Sequence, residues 1–180
     1  MTSADLNVSP ALASAVPPLS AAMNDTGRTV WCGPVALAAI TGEPASRIEG
    51  LIAAYRAAHP EAGASKHKRA WAGKGAEAVV MGTSTVEVAA ALADMGWRMR
   101  CVWLRDRSKT TFARWLQRPR IAYRYHLIGL RAGRVGHWVA LKGVMLADTY
   151  SGGRWGFAVD SRHMGARLLD VHEVWREGEG

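Results

Sequence analysis

A cysteine stands directly before an apolar run in the segment "TVWCGPVALAAITGEP", residues 29–44, and its position favours nucleophilic chemistry. Pro34 suits the first turn of a helix, so the sequence predicts a helix over 34–40 that begins just after Cys32. The unpaired N–H groups and the macrodipole at a helix N-terminus favour a thiolate, the reactive form of this side chain. The small Gly33 would also let a substrate approach the backbone closely. An inert, buried cysteine is the alternative that this pattern alone leaves open.

A histidine and an aspartate lie on two strand-like runs within "HWVALKGVMLAD", residues 137–148. If Lys142 and Gly143 form a two-residue hairpin loop, His137 faces Asp148 with Cβ atoms about 4.5–5.5 Å apart. An imidazole and a carboxylate at that distance can hydrogen-bond, which fixes the tautomer of the ring and stabilises its protonated form. The hairpin therefore predicts a His–Asp couple.

The couple depends on the register of the hairpin. A loop at Gly143 and Val144 would pair His137 with Tyr150 instead, and a one-residue slip would put the two side chains on opposite faces. In the remaining interpretation the histidine is half-exposed and Asp148 merely opens the turn "DTYSGG".

Hydrophobic periodicity predicts helices first and strands later along the chain. Further helices are predicted over 43–58, 84–96 and 109–117, and strands over 97–104, 120–130, 136–143, 144–150 and 154–161. Ser84 and Glu87 have the spacing of a capping box at the start of the third helix. The order, without a regular β-α-β alternation, predicts an α+β fold with a mainly antiparallel sheet. Cys101 is expected in the core of that sheet.

Length and composition predict one domain with few special features. A chain of 180 residues suits a single domain, expected over 23–175, with an inserted basic loop over 59–82 and a charged tail over 176–180. Residues 1–22 are rich in Ala, Ser and Pro and are expected to form a flexible arm. They lack the basic and apolar regions of a signal peptide. No apolar run approaches the roughly 20 residues that a membrane span needs. Two cysteines give no disulfide framework, so a cytoplasmic location, or one within a phage particle, is expected.

The formal net charge of +8 and the pI near 10.1 favour acidic partners, including nucleic acid and acidic proteins. The stretches "KHKRAWAGKG" (66–75) and "TFARWLQRPR" (111–120) mix basic and aromatic residues, which can bind phosphates and stack on bases. Helix-turn-helix and zinc signatures are absent, and no cofactor or metal is predicted. The histidines other than His137 have no companions at useful spacing and receive no role; they are His59, His67, His126, His163 and His172.

The segments "WCGPVALAAITG" and "GHWVALKGVMLADT" resemble the papain-like fold, and in particular the C39-like cysteine peptidases. The resemblance covers residues 24–150 and implies a central helix that the cysteine opens, followed by an antiparallel sheet. By that resemblance Cys32 is the nucleophile, His137 the general base and acid, and Asp148 the residue that orients the imidazole. The implied activity is a thiol hydrolase or acyltransferase acting on a peptide, isopeptide or amide bond of a peptide or protein.

The resemblance also predicts an oxyanion hole and a substrate cleft. A glutamine ahead of the cysteine commonly supplies the oxyanion donor in this family; here Thr26 holds that place and Asn24 is the nearby side-chain amide. Trp31 and Trp138 flank the reacting residues in sequence and, with Gly33, are expected either to line the cleft or to pack.

Two other functions stay open. An inactive papain-like module of a phage or other assembly suits the missing glutamine, and a nucleic-acid-binding protein suits the basic stretches.

Overall fold

The computed structural model describes residues 24–27, 31–60, 82–104, 110–118, 123–132 and 135–178. The predicted arm over 1–22 and most of the predicted basic loop, including "KHKRAWAGKG", lie outside the described residues. The helices are α1 (Cys32–Thr41), α2 (Ala45–Ala58), α3 (Thr85–Asp94) and α4 (Phe112–Leu116), with a 3-10 turn at Ala158–Asp160. The strands are β1 (Trp97–Leu104), β2 (Tyr125–Ala132), β3 (Val135–Lys142), β4 (Met145–Ala147), β5 (Trp155–Phe157) and β6 (Arg167–Arg176).

The six strands form one sheet in the order β1-β6-β2-β3-β4-β5, and every neighbouring pair is antiparallel. The predicted α+β class with an antiparallel sheet is therefore confirmed. The last strand, β6, lies between β1 and β2 and is therefore an interior strand, second from the β1 edge. The sequence analysis did not predict β6. It also assigned Arg176, the last residue of β6, to the charged tail.

Helices α1, α2 and α3 cover one face of the sheet. In α1 every residue from Gly33 to Ile40 is buried, because the segment is apolar on all sides and packs between the sheet and the other helices. Trp138 and Ala140 of β3 belong to this core, together with Ala147 of β4. Packing against these strands holds the N-terminus of α1 next to β3.

The opposite face of the sheet has its own core. Phe112 and Trp115 of α4 pack there with Val139 and Leu141 of β3 and Ala158 of the 3-10 turn. Alternate residues of β3 thus point to opposite cores, as a strand between two layers requires.

A capping box begins α3, as predicted. The Ser84 side chain accepts a hydrogen bond from the Glu87 amide, and the Glu87 carboxylate accepts one from the Ser84 amide. The same carboxylate is buried and pairs with Arg56 of α2 at 2.7 Å. Arg56 also donates to the Gly82 carbonyl, so the start of α3 is fixed against α2.

The hairpin between β3 and β4 differs from its predicted register. Leu141 pairs with Leu146, which places the loop at Gly143 and Val144 rather than at Lys142 and Gly143. Gly143 has a φ of 58°, in the left-handed region. The first position of a two-residue hairpin loop needs this conformation, which glycine adopts readily. The register moves by two residues, so each side chain keeps its predicted face of the sheet.

Three other predictions were wrong. The strand over 144–150 is shorter, Met145–Ala147, because the chain turns at Asp148. The long strand over 154–161 is the short β5 followed by the 3-10 turn. Cys101 is exposed rather than in the core, because β1 is an edge strand whose pairing with β6 is irregular between Cys101 and Trp103.

Candidate active site

The thiol of Cys32 lies at the N-terminus of a buried helix. Cys32 is the first residue of α1 and is half-buried. Trp31, the residue before the helix, makes no capping hydrogen bond with its side chain, although its carbonyl accepts from the Val35 amide at 3.2 Å. The positive end of the helix dipole therefore lies at Cys32, and the Trp31 side chain does not cap it.

The imidazole of His137 contacts both other residues of the predicted triad. The ring is 8% exposed, and its Nε2 lies 3.8 Å from Oδ2 of Asp148, which is an ion-pair distance. Burial favours the neutral ring, but polar contacts with the Asp148 carboxylate and then with the Cys32 side chain outweigh it and raise the pKa of His137 to about 9. The structure therefore brings together the three residues predicted from sequence.

The carboxylate of Asp148 is held on both oxygens. Oδ1 accepts from the Ser151 amide at 2.9 Å, and Oδ2 lies 2.7 Å from Nε2 of His163. Burial favours the protonated acid, but the contact with His137 and the hydrogen bonds from His163 and Ser151 lower the pKa of Asp148 well below its usual range. Because Asp148 is ionised, Nε2 of His163 carries a proton and donates it in this bond.

His163 is the site residue that the sequence prediction missed. It lies in the turn after the 3-10 segment, where its amide donates a hydrogen bond to the Ser161 hydroxyl at 3.1 Å. Its ring is buried, with its centroid 4.7 Å from that of His137. Tyr150 contacts both rings, at centroid distances of 5.4 and 5.7 Å. The turn has no hydrophobic period, so the sequence carried no signal for this contact.

The space beside Gly33 is filled by the protein itself. A Cβ atom on Gly33 would lie 2.2 Å from the Thr83 hydroxyl oxygen, so the glycine permits packing of α1 against the segment before α3. The Thr83 carbonyl in turn accepts a hydrogen bond from the Trp138 indole at 2.9 Å. Trp138 and Trp31 are both buried. These contacts give Gly33 and Trp138 packing roles; a role in lining a substrate cleft stays a prediction.

The two predicted oxyanion residues belong to one turn. The Thr26 hydroxyl donates to the Asn24 side-chain oxygen at 3.0 Å, and the Gly27 amide donates to the Asn24 carbonyl at 3.1 Å. Asp25, between them, accepts from the Ser46 amide at 3.0 Å at the start of α2. The part of these residues in an oxyanion hole stays a prediction.

The site also contains a set of possible metal ligands. One donor atom from each of His137, Asp148 and His163 lies within 4.8 Å of the others, and all three residues are buried.

Base stacking needs exposed aromatic side chains, which the described part of the basic stretch, residues 111–118, does not provide. Its aromatic residues, Phe112 and Trp115, are buried in the core on the α4 side, where they cannot stack on bases. Among the described residues, no helix is both long and apolar enough to cross a membrane.

Comparisons with known proteins add no relative. The sequence matches no protein-family model, no curated protein and no solved structure.

Proposed function

We propose that the protein catalyses acyl transfer from a peptide, isopeptide or amide donor, with Cys32 as the nucleophile. One observation carries the proposal: the buried imidazole of His137 contacts Cys32 at the N-terminus of α1 and also lies 3.8 Å from the Asp148 carboxylate. A thiol, a base within reach of it and a group that orients the base are the parts that nucleophilic catalysis requires. A papain-like arrangement of helix and sheet is part of the proposal.

In the first step the thiolate of Cys32 attacks the carbonyl carbon of the donor, and a carbon–sulfur bond forms. Negative charge then develops on the carbonyl oxygen. The N–H groups in the first turn of α1, which the Trp31 side chain does not cap, would donate to this oxyanion. His137, which is protonated beside the thiolate, gives its proton to the leaving nitrogen as the carbon–nitrogen bond breaks. The product is a thioester on Cys32 and a free amine.

In the second step water or another nucleophile releases the acyl group. His137 now removes a proton from the attacking molecule, which adds to the thioester carbonyl. The carbon–sulfur bond breaks, the thiolate is regenerated, and His137 is again protonated. Hydrolysis and transfer differ only in the nucleophile that enters at this point.

Asp148 orients the imidazole, and His163 in turn positions Asp148. The His163 hydrogen bond to Oδ2 and the Ser151 hydrogen bond to Oδ1 fix the carboxylate plane. Oδ2 also lies 3.8 Å from Nε2 of His137. A carboxylate in this position stabilises the imidazolium that forms in both steps.

Acylation by an activated ester tests the proposal without knowledge of the natural substrate. Wild-type protein is mixed with p-nitrophenyl acetate, the release of p-nitrophenolate is followed, and the acylated residue is identified by peptide mass spectrometry. The expected result is a stoichiometric burst with acetyl on Cys32. Cys32→Ser and His137→Gln should abolish the burst, whereas Cys101→Ser, which removes an exposed thiol, should leave it unchanged.

Acetylation of Cys101 in preference to Cys32, or a burst that persists in His137→Gln, would contradict the proposal. Circular dichroism of each variant is needed, so that loss of the burst is not loss of the fold.

A further inference from the structure

We infer that His137, Asp148 and His163 form a binding site for a divalent transition-metal ion of the zinc class. One donor atom of each residue lies within 4.8 Å of the other two, and all three residues are buried. Oδ2 of Asp148 lies near Nε2 of both histidines. Two imidazoles and one carboxylate are a donor set that suits zinc, iron and nickel, whereas magnesium and calcium prefer oxygen donors alone.

The distances between the donors suit a metal ion. Two ligands bound tetrahedrally at about 2.0–2.1 Å from zinc lie about 3.3 Å apart. Oδ2 of Asp148 lies 3.8 Å from Nε2 of His137 and 2.7 Å from Nε2 of His163, so the two separations lie on either side of that value. An ion would displace the proton on Nε2 of His163, replace the 2.7 Å hydrogen bond to Asp148, and equalise the two separations through small rotations of the side chains. Three protein donors leave one tetrahedral position for water or another ligand.

A second observation points to a ligand at the same place. Nε2 of His137 is buried and has no hydrogen-bond partner, although it faces the carboxylate. A buried polar atom without a partner costs free energy, and a bound ion would satisfy it. The other oxygen of Asp148 accepts from the Ser151 amide, the kind of supporting contact that orients a metal ligand.

Metal binding and the proposed acyl transfer would exclude each other. The ion binds the deprotonated Nε2 of His137 and takes the carboxylate oxygen that otherwise stabilises the imidazolium. This consequence depends on the proposed function; the binding itself does not.

Cobalt(II) absorption tests the site in a variant that cannot carry out acyl transfer. Purified Cys32→Ser protein, freed of metal with EDTA and then dialysed, is titrated with Co²⁺ and followed by its visible d–d bands. The expected result is saturable binding at one site, displaced by Zn²⁺. His163→Gln should weaken binding at least about tenfold, since it removes a ligand. His59→Gln, which removes an exposed histidine at the end of α2, should leave binding unchanged.

Zinc-dependent thermal shifts give a second measurement. Zn²⁺ should raise the unfolding temperature of wild-type, Cys32→Ser and His59→Gln proteins, but not that of His163→Gln, because an ion stabilises only the fold that binds it. Cobalt bands that are unchanged in His163→Gln would overturn the inference. If Co²⁺ gave d–d bands with wild-type protein but not with Cys32→Ser, Cys32 would be a ligand, and the three-residue donor set would be overturned. A metal site with no ester burst leaves this inference standing and refutes only the acyl-transfer proposal.

Discussion

Raising the pH from about 6 to about 9 should destabilise the fold through loss of the proton on His137. The pKa of this ring is raised from 6.5 to about 9, after the cost of burial, by contacts with Asp148 and Cys32. A group with a raised pKa in the folded state stabilises that state fully below its unfolded value, and the contribution disappears as pH rises through the folded value. The loss should therefore lie between 6.5 and 9.

The shift sets the size of the effect. A rise in pKa from 6.5 to about 9 corresponds to about 3 kcal/mol of preference for the protonated ring in the folded state. Most of that should be lost across the interval, so we expect the free energy of unfolding of the wild type to fall by about 2–3 kcal/mol relative to His137→Gln. Groups that titrate alike in both proteins cancel in this difference.

Urea unfolding at several pH values, in EDTA to exclude metal, measures the difference. The Cys32→Ser background separates the contribution of Asp148 from that of Cys32. The pH-dependent difference between Cys32→Ser and Cys32→Ser/His137→Gln should persist because Asp148 remains. It should be smaller than the difference in the wild-type background because the contact with Cys32 is gone. Parallel stability curves for wild type and His137→Gln would mean that the ring titrates alike in the folded and unfolded chains, and would rule out the raised pKa as a source of stability.

Three further substitutions test the supports of the site by urea unfolding at neutral pH. His163→Gln should destabilise the fold by about 1.5–3 kcal/mol, because it removes a charge-assisted hydrogen bond to the buried Asp148; no change would mean that the bond is not formed in solution. Glu87→Ala should cost about 3–5 kcal/mol, since it breaks the ion pair with Arg56 and removes the carboxylate half of the capping box of α3; a cost under about 1 kcal/mol would contradict that role. Gly33→Ala should cost about 1–3 kcal/mol through the clash with Thr83, and part of this cost should disappear in a Thr83→Gly background. Strict additivity of these two changes would argue against the contact.

Local signals predicted the elements that carry the site. The apolar run after Cys32 gave α1, and the spacing of Ser84 and Glu87 gave the capping box of α3. His137 and Asp148 come together although the hairpin loop was placed one residue too early. The two registers differ by two residues, an even number, so the error kept both side chains on one face.

Hydrophobic periodicity and capping patterns did not predict the features that depend on how distant segments pack together. The residues of β6 from 171 to 174 are all buried, because the strand has a neighbour on each side, and polar side chains such as His172 interrupt its apolar pattern. Cys101 lies on a strand that alternates like a core strand, but the sequence does not tell that β1 is at the sheet edge. His163 reaches Asp148 only through the irregular turn after the 3-10 segment, which no period encodes.

The chain contains its own reference for a direct test of Cys32 as an activated nucleophile. Cys101 is an exposed thiol on an edge strand, whereas Cys32 is half-buried at the start of α1, so access alone would make Cys101 react faster. The rates of alkylation of both residues by iodoacetamide can be read from one sample by peptide mass spectrometry.

At about pH 6.5, where an ordinary thiol is largely protonated, we expect Cys32 to be alkylated at least about tenfold faster than Cys101. We also expect His137→Gln to remove this advantage without changing the rate at Cys101. Faster alkylation of Cys101 at every pH, with no effect of His137→Gln on Cys32, would mean that Cys32 is not an activated nucleophile.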